Sequence, residues 1–175
     1  AFGPAHPNIA RELNNLALLL QVTNRLSAAE QLMLRALAVN EAFFGSEHPS
    51  IATNLNNLAL LLQVTNRLLE AEPLFRRALA LEERFYGPVH SNVGRALNNL
   101  ALLLKETNRL GEAEPLMWRA LAIDESFFGP KHPSVARDLN NVGQLLHELN
   151  RLDEAERLMR RALQIDEESF GPDHP

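Results

Sequence analysis

A side-chain amide carries two hydrogen-bond donors and an acceptor oxygen, so it can read a peptide unit whatever side chain that unit bears. This sequence sets such groups in adjacent pairs 42 residues apart, at Asn14-Asn15, Asn56-Asn57, Asn98-Asn99 and Asn140-Asn141. Two of the pairs sit in one identical stretch, LNNLALLLQVTNRL, at Leu13 to Leu26 and Leu55 to Leu68. A leucine-dominated run keeps polar groups for one of two purposes: the amides tie neighbouring helices together, or they face a ligand. Arg11, Asn14, Asn15, Leu18 and Val22 share one helical face. On that face Arg11, Arg95 and Arg137 recur at one position, with Thr53 in the second repeat. Lys105 and His147 recur at another, where the first two units carry Gln21 and Gln63, while Leu18, Leu60 and Leu102 supply apolar patches and Gln144 closes their series.

The remaining reactive residues are spread out. His6, His48, His90, His132 and His174 stand one per repeat, and translation along a stack separates them, whereas a metal site needs three or four ligands converging on one ion. They read as residues that help start a helix, and no metal or other cofactor is expected. No nucleophile elbow, phosphate-cradling glycine loop or zinc-protease helix occurs, so no enzyme is expected. Glu30, Glu72, Glu114 and Glu156 read as a solvated face, and the glycines mainly as linker punctuation.

Helices must position these groups. A linker recurs as FGPAHP at Phe2, FGSEHP at Phe44, YGPVHS at Tyr86, FGPKHP at Phe128 and FGPDHP at Phe170, which divides the chain into four units, approximately 6–47, 48–89, 90–131 and 132–173. Leu13, Leu16, Ala17 and Leu20 fall at helical spacing in the first segment of a unit; Ala29, Met33, Ala36 and Leu37 do so in the second. Glycine after the second segment ends it, proline after the linker histidine opens the next except after His90, where Ser91 stands, and Asn24, Asn66, Asn108 and Asn150 make the turn within each hairpin. Pro73 and Pro115 are expected in the first turn of the second helix, where a missing donor costs little.

The spacing of Leu55, Leu58, Ala59, Leu62, Ala71, Phe75 and Ala78 resembles the tetratricopeptide pattern, with leucine in place of aromatics and the family's glycine restored at Gly143. More narrowly, AEPLFRRALALEE from Ala71, HPSVARDLNN from His132 and LNNLALLL resemble the repeats of kinesin light chain and its bacterial relatives. The resemblance covers the whole chain. It implies an all-α fold, a right-handed superhelical solenoid of four antiparallel helix-turn-helix hairpins forming a single domain over residues 1–175, a piece of a longer protein. It also implies that Asn15, Asn57, Asn99 and Asn141 bond the backbone of a bound peptide in the concave groove. Asn14, Asn56, Asn98, Asn140, Arg11, Arg95, Arg137, Leu18, Leu60, Leu102 and Lys105 are read as lining the same groove.

A net charge of -5 without clustered Lys and Arg argues against a general nucleic-acid binder, and the groove face offers no aromatics for base stacking. No apolar run is long enough to cross a membrane. Cysteine is absent, which excludes disulfides and thiolate sites and fits a cytoplasmic protein. The expectation is a protein-interaction scaffold that takes an extended acidic and apolar peptide. The alternative is an assembly module that stacks head to tail through uncapped terminal repeats.

Overall fold

The computed structural model describes residues 6–171, so the linker residues Phe2, Gly3 and His174 lie outside the described residues. Eight helices and no strand occur among the described residues: α1 Pro7–Val22, α2 Leu26–Phe44, α3 Pro49–Val64, α4 Leu68–Tyr86, α5 Ser91–Glu106, α6 Leu110–Phe128, α7 Pro133–Glu148 and α8 Leu152–Phe170. The chain divides into two compact units, Ala1–Phe85 and Tyr86–Pro175. In the first, α1 packs on α2 and α2 on α3; in the second, α5 packs on α6, α6 on α7 and α7 on α8.

Each odd-numbered helix starts on its linker histidine. His6, His48, His90 and His132 have extended backbones, and the Nδ1 of each accepts the backbone N–H two residues on, at 3.1 to 3.2 Å. This satisfies one of the donors that a helix start leaves over. The imidazole also stacks on the aromatic ring that begins the linker: His48 on Phe44 at 4.1 Å, His90 on Tyr86 at 4.4 Å and His132 on Phe128 at 4.4 Å. One ring thereby fixes both the end of one hairpin and the start of the next. Between them Gly45 and Gly129 combine φ of 81° and 88° with extended ψ of 165° and 158°, a region open essentially to glycine. Within the hairpins Asn24, Asn66, Asn108 and Asn150 sit at φ 58° to 60°, the left-handed conformation that asparagine tolerates.

The small-large-small spacing of the even-numbered helices forms the core. Ala29, Met33 and Ala36, then Ala71, Phe75 and Ala78, then Ala113, Met117 and Ala120 are all buried. In the first unit Ile51, Ala52 and Leu55 of α3 cluster with Ala78 and Leu81 of α4, and Leu37 and Leu74 close over them. Leu16 of α1, read as a core residue, is 46% exposed, although its equivalents Leu58 and Leu100 are buried.

Three features correct the sequence reading. Pro73 and Pro115 lie six residues into α4 and α6, beyond the first turn, because a three-residue turn lets these helices begin at Leu68 and Leu110. Glu30 and Glu114 are half-buried partners of the turn arginines rather than members of a solvated face. Arg67 holds Glu30 at 2.8 Å and Glu70 at 2.7 Å, and Arg151 holds Glu114 at 2.6 Å and Glu154 at 2.8 Å. These hydrogen bonds hold Glu70 and Glu154 below the usual carboxylate range and raise both arginines. Finally, Gly94 and Gly143 are buried helix positions, not punctuation.

Candidate functional site

The 3.6-residue repeat of the odd-numbered helices turns the two asparagines of each pair to different depths. Asn56 and Asn98 are buried, at 8% and 4% exposure, whereas Asn57, Asn99 and Asn141 are half-buried and Asn15 is exposed. Asn140 is exposed and Asn14 half-buried.

In the second unit the buried asparagine belongs to a polar network. Asn98 on α5 donates through Nδ2 to Asp138 Oδ1 on α7, and Asn141 Nδ2 donates to Asn98 Oδ1 at 3.4 Å. Arg137 reaches Asp138 at 3.0 Å and Asp124 of α6 at 3.2 Å. Both aspartates are almost fully buried. Burial and the neighbouring Asp138 charge push Asp124 up to about 6 against the opposing pull of Arg137. Burial likewise raises Asp138, with Arg137 and Asn98 opposing. Asn98 thus ties α5 to α7.

The first unit solves the same position with neutral groups. Asn40 at the end of α2 donates through Nδ2 to Asn54 Oδ1 at 2.6 Å, and both are buried. Beside them opens a cavity of about 330 Å³, lined by residues of three elements that include Arg11, Asn14, Leu18, Asn40, Thr53 and Asn57. Sequence reasoning placed Arg11, Asn14, Asn15, Leu18 and Asn57 on this face and missed Asn40 and Phe44, which arrive from α2. The polar residues Asn40 and Asp124 near the ends of α2 and α6, at one repeat register, were the available signal.

The charged positions are largely answered from within. Arg11 pairs with Glu12 at 2.9 Å, and Lys105 with Glu148 at 3.2 Å and Gln144 at 3.4 Å. Arg95 is exposed, Leu18 and Leu60 are exposed, and Leu102 is half-buried. Among the described residues, no group of three His, Asp or Glu side chains is placed to hold a metal ion, and no helix is long and apolar enough to cross a membrane.

Repeated helix hairpins with an amide-lined face define a helical-repeat protein. Family models described as tetratricopeptide repeat match residues 11–50, 50–126 and 109–168, and the chain belongs to that family. Its fold is similar to BtubC (BKLC) of P. vanneervenii, with a TM-score of 0.85 and 25% identity over 97% of this chain and 68% of that one. It is also similar to a kinesin light chain-like protein of Podosopora anserina with nearly identical TPR-like repeats, with a TM-score of 0.77 and 20% identity over 97% of this chain and 81% of the other. Aspartyl phosphate phosphatase F of Bacillus subtilis shares the fold with a TM-score of 0.81 and 15% identity, over 93% of this chain and 41% of its own. No curated protein sequence matches this chain. The array is all-α and TPR-like, resembling kinesin light chain repeats, and tetratricopeptide repeats of this kind point to a protein-interaction scaffold.

Proposed function

We propose that the chain binds an extended peptide segment of a partner protein through Asn15 and Asn57 in the first unit and Asn99 and Asn141 in the second, with no catalysis of its own. The observation that carries this reading is the cavity of about 330 Å³ in the first unit, where amides from successive hairpins line one opening next to Leu18 and Arg11. Amides read the ligand backbone, Leu18, Leu60 and Leu102 meet apolar side chains, and Arg11 and Arg95 favour acidic ones. Arg11, Lys105 and Arg137 are each already engaged within the chain, by Glu12, Glu148 and the Asp124–Asp138 pair, which tempers the acidic preference. Affinity is modest, since a flexible peptide loses conformational freedom when ordered. An NMR titration with extended peptides that carry acidic and large apolar residues tests this. Saturable shifts at the side-chain amides of Asn15, Asn57, Asn99 and Asn141 support it, and silent amides across the series remove it.

A second reading, head-to-tail self-association, is favoured by one observation. Leu16 and Leu19 of α1 are 46% and 59% exposed where Leu58 and Leu61 are buried, and Leu163 of α8 is 58% exposed where Leu121 is buried. A further hairpin, of the same protein or of a second copy, would cover these leucines in the register the repeats already use. Mass that grows with concentration in light scattering, and that falls on Leu19→Glu substitution, distinguishes this reading from peptide binding.

A further inference from the structure

The cavity of the first unit has a counterpart 84 positions on, and the residues there differ in a telling way: Thr53, Asn40 and Asn54 correspond to Arg137, Asp124 and Asp138. In the second unit the guanidinium of Arg137 lies against both aspartates, within 3.2 Å. In the first, the short Thr53 leaves the space open, and the paired aspartates are replaced by paired amides.

Those amides are incompletely matched. The Asn40–Asn54 bond uses one donor and one acceptor, and Asn40 Oδ1 and Asn54 Nδ2 are buried without a partner. With both amides turned over, the bond still leaves one donor and one acceptor unmatched. Asn14 Oδ1 is buried and unpartnered as well, and all three residues line the same cavity. Buried polar groups in a folded protein are nearly always hydrogen-bonded, so three unmatched atoms on residues that line one opening mark a place that a polar guest completes once the amides turn toward it.

We infer that this cavity is a specificity pocket for a side-chain carboxamide, an Asn or Gln of the bound peptide, seated where the second unit seats its own Arg137. The inference rests on the peptide-binding reading above and adds the chemistry of one anchor. A carboxamide brings both a donor for the unmatched oxygens and an acceptor for the unmatched nitrogen. A carboxylate brings no donor, so Asn14 and Asn40 stay unmatched. An ammonium or guanidinium brings no acceptor and meets no counter-charge, because Arg11 is the one charged lining residue. Arg11 itself is two-thirds exposed and paired with Glu12, so it acts at the rim, on whatever residue follows along the peptide.

The test uses the full chain and a degenerate library of nine-residue peptides with one fixed residue, set in turn to Gln, Asn, Glu, Asp, Lys or Leu. Retained peptides are quantified by mass spectrometry. The wild-type chain is expected to enrich Gln or Asn at least threefold over Glu and Asp at one position. A variant combining Asn40→Asp, Thr53→Arg and Asn54→Asp, which copies the second unit's own solution and whose helical fold is checked by circular dichroism, is expected to lose that preference while still retaining peptides. Retention with Glu, Lys or Leu favoured, or a carboxamide preference unchanged in the variant, overturns the inference and leaves the groove reading in place. Failure of the wild-type chain to retain any peptide saturably removes both.

Discussion

Asp124 and Asp138 face each other across the α6–α7 seam at the positions that Asn40 and Asn54 hold in the α2–α3 seam, and one guanidinium, that of Arg137, touches both carboxylates. The repeat has therefore made the same buried contact twice, once from neutral amides and once from ionisable acids. Oδ1 of Asp124 and Oδ2 of Asp138 have no other partner, so the pair is most comfortable with a proton between its carboxylates. Only the second version responds to pH.

The direction of that response is fixed by where the proton is held. Burial keeps Asp124 protonated up to about pH 6, whereas an unfolded chain releases the proton near the ordinary value of about 4. Between these limits the native state binds more protons than the unfolded state, so stability falls as pH rises. The favourable contribution is whole below about pH 4 and gone above about pH 6, on the order of 2 to 3 kcal/mol. Glu70, Glu154 and Glu168 are held below the usual range by Arg67, Arg151 and Lys131 and act with the opposite sign, but at lower pH. Urea unfolding followed by hydrogen exchange in α6 and α7 should show protection falling from pH 4.5 to 6.5. Asp124→Asn, which copies Asn40, should flatten that dependence and leave the second unit more stable than wild type at pH 7.5.

The two buried helix glycines of the second unit, Gly94 and Gly143, are not equivalent. A methyl group at Gly94 would stand 2.8 Å from Asp124 Oδ1 and 3.3 Å from Ile123 Cγ2, both held in the buried seam. At Gly143 it would meet Met159, at 2.8 Å from Cγ and 3.3 Å from Cε, an unbranched side chain that can turn aside. Gly94→Ala should therefore cost about 1 to 3 kcal/mol through overpacking. Gly143→Ala should fall within about 1 kcal/mol of wild type, because the gain in helix propensity offsets the displaced methionine. Equilibrium denaturation of the two variants checks the contrast, and equal losses would contradict it.

The two asparagines of a pair should separate stability from binding. Asn98→Ala removes the amide that donates to the buried Asp138 and accepts from Asn141. Leaving that carboxylate short of a donor costs about 1 to 3 kcal/mol. Asn57 is half-buried on the cavity wall, so Asn57→Ala should change stability by less than about 0.5 kcal/mol and weaken peptide binding. Thermal melts and a peptide titration of both variants give the two readouts. A destabilised Asn57→Ala would make the second asparagine structural too.

What the sequence disclosed followed from periodicity. A 42-residue period, an Ala-x3-Met/Phe-x2-Ala spacing and Asn-Arg turns gave eight helices and their order, because those features are local and the packing they imply is repeated. The shared repeat register of Asn15, Asn57, Asn99 and Asn141 was legible for the same reason. Asn40 was not, because it enters the cavity from the end of α2, and only the packing of α2 on α3 brings it beside Asn54. Nor was the burial of Asp138, since an acidic residue next to Arg137 reads as a surface pair until Asp124 and Asn98 are seen around it. Glu30 was misread likewise, its partner Arg67 lying 37 residues away.

The linker histidine joins two jobs that substitution can divide. His48 accepts the Ser50 N–H through Nδ1 at 3.2 Å, which places its proton on Nε2, and its ring stacks on Phe44 at 4.1 Å with an interplanar angle of 10°. Asparagine can replace the cap but not the ring, and alanine replaces neither. Loss of a side-chain cap costs typically about 1 kcal/mol, and a stacked ring pair adds about 0.5 to 1.5 kcal/mol beyond the area it buries. His48→Ala should then destabilise the first unit by about 1.5 to 2.5 kcal/mol, and His48→Asn by about half of that. Phe44→Leu in the His48→Asn background should add less than it does in wild type, because the stack it removes is already gone. Denaturant midpoints for the four proteins of this cycle measure the coupling. A value near zero would mean that the ring is held by the cap alone and that the aromatic residue opening each linker serves another purpose.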